Sequence, residues 1–228
     1  MSNPPIVLPQ NEIEELWFGG LNLKAGQTPG MEAVLRWFRS DQAFDSSCKC
    51  LAIFVLYANT RKYQPLVSQL VALPFNDLVA LGDSPQESLT LLLLLDQLPR
   101  DYARGSPFPF TICDPLAVKL AEHFVFKREY DKQQPPYKRL WYYLPFEHAE
   151  SLPYQELAIA KFAEACWELR EGEWKDFHGL MNEGLEYGWR HYLVIKQFGR
   201  FPGRNKTLGR ENTEAETKFI EEGGDTFS

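Results

Sequence analysis

Three observations predict an all-α fold. Apolar residues recur at three- and four-residue spacings in one segment after another, as on the buried stripe of a helix. Start and stop signals bracket those segments: Ser84-Pro85, Asp114-Pro115 and Thr213 with Glu216 at the beginnings, Gly172 and Gly199 at the ends. No stretch alternates with period two strongly enough to compete as a strand, and no internal repeat of fixed length stands out.

In order, residues 1–10 hold three prolines and lead loosely into a short helix over Glu12 to Phe18, closed by Gly19 and Gly20. A loop from Leu21 to Gly30 precedes a helix that starts at Glu32, carries Val34, Leu35, Trp37 and Phe38, and stops near Ser40 or Asp41. Phe44 opens the next, with Leu51, Phe54, Val55 and Ala58 on one face. Arg61 to Leu73 is weaker, and Pro74, Asn76 and Asp77 break it.

Ser84 to Leu95 is the expected central helix. Ser84, Pro85 and Glu87 form a capping box, and Leu91 to Leu95 are apolar on every side and require burial all round. Pro99 is expected to stop it at Leu98, which leaves Asp96 and Gln97 in the last turn. A carboxylate there faces the negative end of the helix dipole and requires a cation, Arg100 or Arg104 being nearest.

Asp114 caps a helix with Leu116, Leu120, Phe124 and Val125 inward. Residues 131–140 read as a polar loop leading to Trp141, Tyr142 and Tyr143, which read as core. Tyr154 to Arg170 is a further helix. In the long helix from Trp174 to Phe198, a single stripe holds Phe177, Met181, Gly184, Gly188, His191, Ile195 and Phe198; its two glycines predict a close helix crossing, and His191 shares the inward face. Pro202-Gly203 fits a type II turn flanked by Arg200 and Arg204. Thr213 and Glu216 open a final helix, and the chain frays from Gly223. The 228 residues form one domain with 1–10 and 223–228 as loose tails.

Composition narrows the function. A net charge of -7 argues against nucleic acid as main partner. Cys48, Cys50, Cys113 and Cys166 show no C-x-x-C spacing and no histidines at zinc-site distances, so they read as reduced core thiols, with no metal. The leucine run is too short to span a bilayer and the first residues lack a basic leader, which points to a cytoplasmic chain without membrane contact. Glycine-rich phosphate loops are absent, so no organic cofactor is expected.

The blocks ELWFGG, RWFRSDQAFD, LDQLPRDYARG, CDPLA, YLPFEHAE, FGRFPGRN and LGRENT follow one another from about Trp17 to Phe219. Together they resemble the signature of the family called domain of unknown function 924. The resemblance implies stacked antiparallel helix pairs similar to tetratricopeptide-repeat proteins, and no established activity. Carried onto this sequence, its polar positions are Asp96, Gln97, Arg100, Arg104, His148, Glu150, His191, Arg200, Arg204 and Asn205. Three positions depart from the pattern: Gly203 stands where a histidine is usual, Tyr192 where an arginine is common and Glu147 where a methionine is common.

Arg200, Arg204, Lys206 and Arg210 place four positive charges and no negative one in eleven residues of an acidic chain, a local reversal suited to an anion. The plainer reading has these arginines bracing Asp96, Asp101, Glu147 and Glu150 as a structural network. His191 and His148 are the candidate proton carriers near neutral pH; a metal at His148 has little support, and His123 and His178 read as structural. Two functional readings stay open. In one, a small anionic ligand is held by Arg100, Arg104, Arg200 and Arg204, with Asp96, Gln97, Glu150 and Asn205 completing the pocket and His191 or His148 moving a proton. In the other, the stacked helices form an interaction scaffold whose arginines grip an acidic tail or a peptide carboxylate of a protein partner.

Overall fold

Pro85 at the first helical position and Ser84 before it fix the start of the leucine helix: the Glu87 N–H donates to Ser84 Oγ at 3.2 Å. The second half of the expected capping box is replaced, since Ser84 Oγ donates to the Glu87 carboxylate at 2.8 Å. This helix and its neighbours are seen in a computed structural model that describes residues 6–19, 27 and 60–227. The expected helices over about 32–40 and 44–58, with Cys48 and Cys50, lie outside the described residues.

The described residues are all-α, with no strand among them. Helix α1 spans Gln10–Phe18 and ends on Gly19 at φ 58°, the left-handed turn a glycine C-cap provides. Then come α2 (Gln64–Leu70), α3 (Phe75–Leu81) and α4 (Pro85–Leu92). Asn76 and Asp77, expected in a break, sit inside α3, because Pro74 precedes its first turn and does not interrupt it. A π-helical turn over Leu93–Gln97 joins α4 to α5 (Leu98–Tyr102), and another over Pro109–Cys113 runs into α6 (Asp114–Phe126). The rest is α7 (Pro136–His148), α8 (Leu152–Glu168), α9 (His178–Phe198) and α10 (Glu214–Glu221).

The leucine helix shares the centre of the fold with α7, which packs against α4, α6, α8 and α9. Every residue of α7 from Pro136 to Glu147 is buried. Its start was hidden in the sequence by the basic pair Lys138 and Arg139, which look solvated but are neutralised from afar. Lys138 Nζ donates to both oxygens of Glu14 at 2.7 and 2.8 Å, and Arg139 pairs with Glu168 at 2.8 Å. Trp141, Tyr142 and Tyr143 are core, with the Tyr142 hydroxyl donating to the Pro85 carbonyl at 2.6 Å and Tyr143 to Asp131 at 2.9 Å.

The close crossing expected of α9 is present. An added Cβ at Gly184 would overlap the Phe162 ring of α8, and one at Gly188 would lie 3.2 Å from Glu147 Oε1 on α7. Past α9 the chain does not make a type II turn: Pro202–Arg204 is a 3-10 turn and Gly203 has no left-handed φ. Thr213 and Glu216 do form the expected capping box. The segment after Gly223, expected to fray, folds back onto α9, with Asp225 forked by Arg190 and Phe227 beside Val194, Ile195 and Phe201 in a second, smaller apolar cluster. At the other end Leu8, within the expected loose lead-in, is buried in the main core.

Candidate functional site

Pro99 has no N–H to give Leu95, and its ring would crowd the carbonyl four residues back in a regular α-helix. The π-helical turn over Leu93–Gln97 widens the backbone at that point, so the helix continues through Pro99 where the sequence reading expected it to stop. Asp96 is therefore not at a helix end. It is 1% exposed, within the turn, and its carboxylate accepts from His148 Nδ1 at 2.7 Å, from Arg100 at 3.4 Å and from the Gln97 side-chain amide. Arg104, the other expected cation, is exposed and acts on Asp101.

Arg100 reaches past Asp96 to Asp114, on which it closes at 2.6 Å. Asp114 was expected to cap α6. It lies instead inside the first turn, with no side-chain capping bond, because the second π-helical turn carries the helix back beyond it. Its freed carboxylate bridges two guanidiniums, Arg100 and, at 3.5 Å, Arg204.

Arg204 is 3% exposed between the faces of Phe110 and Phe201, whose ring centres lie 4.7 and 4.4 Å from its guanidinium carbon. Its hydrogen-bond acceptors are main-chain oxygens, His148 O at 2.9 Å and Phe227 O at 3.2 Å. The neighbouring basic residues are committed elsewhere. Arg200 donates to both oxygens of Glu216 at 2.6 and 2.8 Å and to the Glu211 carbonyl, and Arg210 forks Glu150 at 2.7 and 2.8 Å. Glu150 also accepts from the Phe201 N–H at 2.9 Å, and buried Asn205 donates to Asn212 at 2.8 Å.

His191 donates from Nδ1 to the Tyr187 carbonyl at 2.9 Å, which leaves Nε2 as its basic nitrogen. Its ring centre is 6.3 Å from that of His148. Between them and Gly188 lies Glu147, 2% exposed, with one carboxyl oxygen 3.8 Å from His191 Nδ1 and the other without a partner.

Burial and charge set the protonation of these groups. Burial opposes ionisation of Asp96, but His148 and Arg100 outweigh it and hold the carboxyl at about 2. Burial, reinforced by Arg100, lowers His148 below its ordinary value against the pull of Asp96. Burial takes His191 down to about 3 and pushes Glu147 well above the carboxylate range, with the charge of Asp96 adding to the latter. Burial and then Arg100 depress Arg204 to about 10, while the carboxylates of Asp114, Glu150 and Asp96 pull the other way. At neutral pH Asp96 is thus ionised and His148 and His191 are neutral, while burial favours the uncharged form of Glu147.

One cavity of about 240 Å³ opens onto this cluster. It is lined by Asp114, His148, Glu150 and Arg204 together with Phe110, Pro115, Val118, Tyr154 and Leu208. A carboxylate-oriented imidazole beside a buried guanidinium under apolar walls can hold an anionic group and move a proton. Among the described residues no group of three histidine, cysteine or acidic side chains is placed to hold a metal ion. No helix among them is long and apolar enough to cross a membrane.

Residues 13–224 match the family described as bacterial protein of unknown function, DUF924. The chain belongs to this family. A solved structure of a protein of unknown function from Agrobacterium tumefaciens, ATU0120, is similar to it at 27% identity, covering 93% of this chain and 97% of that one with a TM-score of 0.65. No curated protein matches. In this DUF924 member the sequence-derived residues divide: Asp96, Gln97, Arg100, His148, His191 and Arg204 meet in one cluster, Glu150 reaches its rim, and Arg104, Arg200 and Asn205, the last bonded to Asn212, stand outside it. Asp114 and Glu147 were missed as site residues. Asp114 looked like a cap, though its place in the CDPLA block between two charged blocks was a signal; Glu147 departs from the family pattern and was placed only among the carboxylates of a structural network.

Proposed function

We propose that this DUF924 member binds a small carboxylate anion in the cavity over Arg204 and moves a proton at His148. The observation that carries the reading is that a buried guanidinium and an aspartate-oriented histidine line the same small cavity. Arg204 with Arg100 behind it supplies the attraction, and Asp96 fixes His148 so that Nε2 is the basic nitrogen. An added negative charge favours protonation of His148 as it enters. Binding and proton uptake are therefore coupled, and the histidine becomes charged only when the ligand is in place.

Titration of acetate by calorimetry in buffers of different ionisation enthalpy tests this. Uptake of close to one proton per acetate is expected, lost in His148→Gln, with binding itself lost in Arg204→Gln. Acetate binding without proton uptake removes the acid–base role, and no binding removes the reading. The scaffold alternative needs arginines along an open groove, and burial of Arg204 together with the engagement of Arg200 by Glu216 favours the pocket over it.

A further inference from the structure

Gly223 and Gly224 close α10 with main-chain bonds to Ile220 and Phe219 and turn the chain back toward the site. Thr226 then lies directly against the Cα of Gly203, in space that any side chain there would fill. Phe227 follows at φ 44°, a left-handed conformation that a bulky residue adopts only when its contacts hold it. Its ring stacks on His191 with centres 3.6 Å apart and planes 22° from parallel, and meets the edge of Phe201 at 5.8 Å. Its carbonyl oxygen accepts from Arg204 Nε at 3.2 Å. The other anchor is the Arg190–Asp225 pair, 46% and 34% exposed at the side chain and so a weak tether.

Phe227 gives His191 an aromatic face and gives Arg204 an oxygen, the two joined through a methylene and one further carbon. That is the skeleton of a 3-arylpropanoate. A neutral carbonyl is the poorer partner for a buried guanidinium, since a carboxylate oxygen in its place forms a charge-assisted bond. The neutral imidazole of His191 suits a π-face and needs no charge from the ligand. We propose that Phe227 is the internal occupant of a second subsite, which takes the ring of an aryl-alkyl carboxylate with two carbons between ring and carboxylate, and that residues 225–227 swing out to admit it. This rests on Arg204 being the anion partner of the cavity; what it adds is the aromatic subsite at His191 and the segment that covers it. A tethered occupant competes as an effective concentration in the millimolar range, so the covered site binds such an acid weakly and the uncovered one more tightly.

The test is calorimetric titration of 3-phenylpropanoate and of acetate into the full chain, Phe227→Ala, Asp225→Asn and Phe227→Ala with Arg204→Lys. Phe227→Ala is expected to tighten 3-phenylpropanoate by at least about tenfold and to leave acetate nearly unchanged, and the added Arg204→Lys is expected to cancel the gain. Asp225→Asn keeps the ring and loosens only the exposed tether, so a smaller gain in the same direction is expected and guards against a fold damaged by loss of Phe227. Equal or weaker binding of 3-phenylpropanoate by both single variants, with acetate still bound, overturns the subsite and leaves the anion reading standing. Equal gains for both acids also overturn it, because the segment then excludes anions without an aromatic preference. No binding of either acid by any chain removes the anion reading and this inference with it.

Discussion

His148 donates from Nδ1 to the Asp96 carboxylate at 2.7 Å, a bond that ties the end of α7 to the π-helical turn fifty-two residues earlier. It fixes the tautomer of the imidazole and holds a buried charge in place. Asp96→Asn removes the influence that raises His148, whose pKa is expected to fall further in an NMR titration of the ring nitrogens. Denaturant unfolding is expected to show a loss of about 1.5–3 kcal/mol, the usual effect of a hydrogen bond to a charged group. An unmoved His148 titration would show that the carboxylate does not govern it.

Glu147 works against the fold at neutral pH. Its folded pKa is raised, so its contribution is complete below the unfolded value near 4.5 and is lost as pH rises toward the folded value. Glu147→Gln keeps the shape and removes the titration. The variant is expected to match the parent near pH 4 and to gain stability above it, approaching about 1.4 kcal/mol per pH unit until the folded group ionises. Parallel stability curves for the two proteins between pH 4 and 8 would contradict the buried neutral carboxyl.

His191 has the opposite slope. Its folded pKa of about 3 lies below its ordinary 6.5, so the unfolded chain binds the extra proton and stability is lost as pH falls from about 6.5 toward 3. His191→Asn, whose amide nitrogen takes the place of Nδ1 and keeps a donor for the Tyr187 carbonyl, is expected to flatten stability over that window relative to the parent. Between about 4.5 and 6.5 the two residues oppose each other, so the double variant with Glu147→Gln separates their parts.

Gly184→Ala is expected to lower stability by about 1–3 kcal/mol, since the added methyl overlaps the Phe162 ring where α8 and α9 cross. Gly188→Ala meets only the Glu147 carboxyl at 3.2 Å and is expected to cost less. Chemical denaturation of both variants reads the difference, and equal losses would place the tightest approach elsewhere.

Arg200→Ala separates bracing from binding. Both Arg200 nitrogens that reach Glu216 brace the capping box of α10, so a modest drop in melting temperature is expected with acetate affinity unchanged. Loss of acetate binding in this variant would return Arg200 to the site.

The helical stripe of α9, with its paired glycines and inward His191, was readable because it depends on local spacing. The polar cluster was readable in outline because its members lie in compact charged blocks. What escaped depends on distant partners. Lys138 and Arg139 made α7 look like a loop, and only Glu14 and Glu168, far away in the chain, allow them to be buried. Pro99 reads as a stop unless the backbone widens before it, and Asp114 reads as a cap for the same reason. Residues 224–227 have turn-like composition, and their anchors on Arg190, Gly203 and Arg204 leave no local trace.

Because Gly203 and Thr226 occupy adjoining space with no room for a side chain, residue 203 and the C-terminal segment exclude one another. A single methyl at 203 would overlap Thr226 and is expected to displace the segment and uncover His191. Among relatives, a side chain at this position and a C-terminal segment that covers the site should therefore never occur together, so the identity of residue 203 tells whether a member of the family carries its own cover.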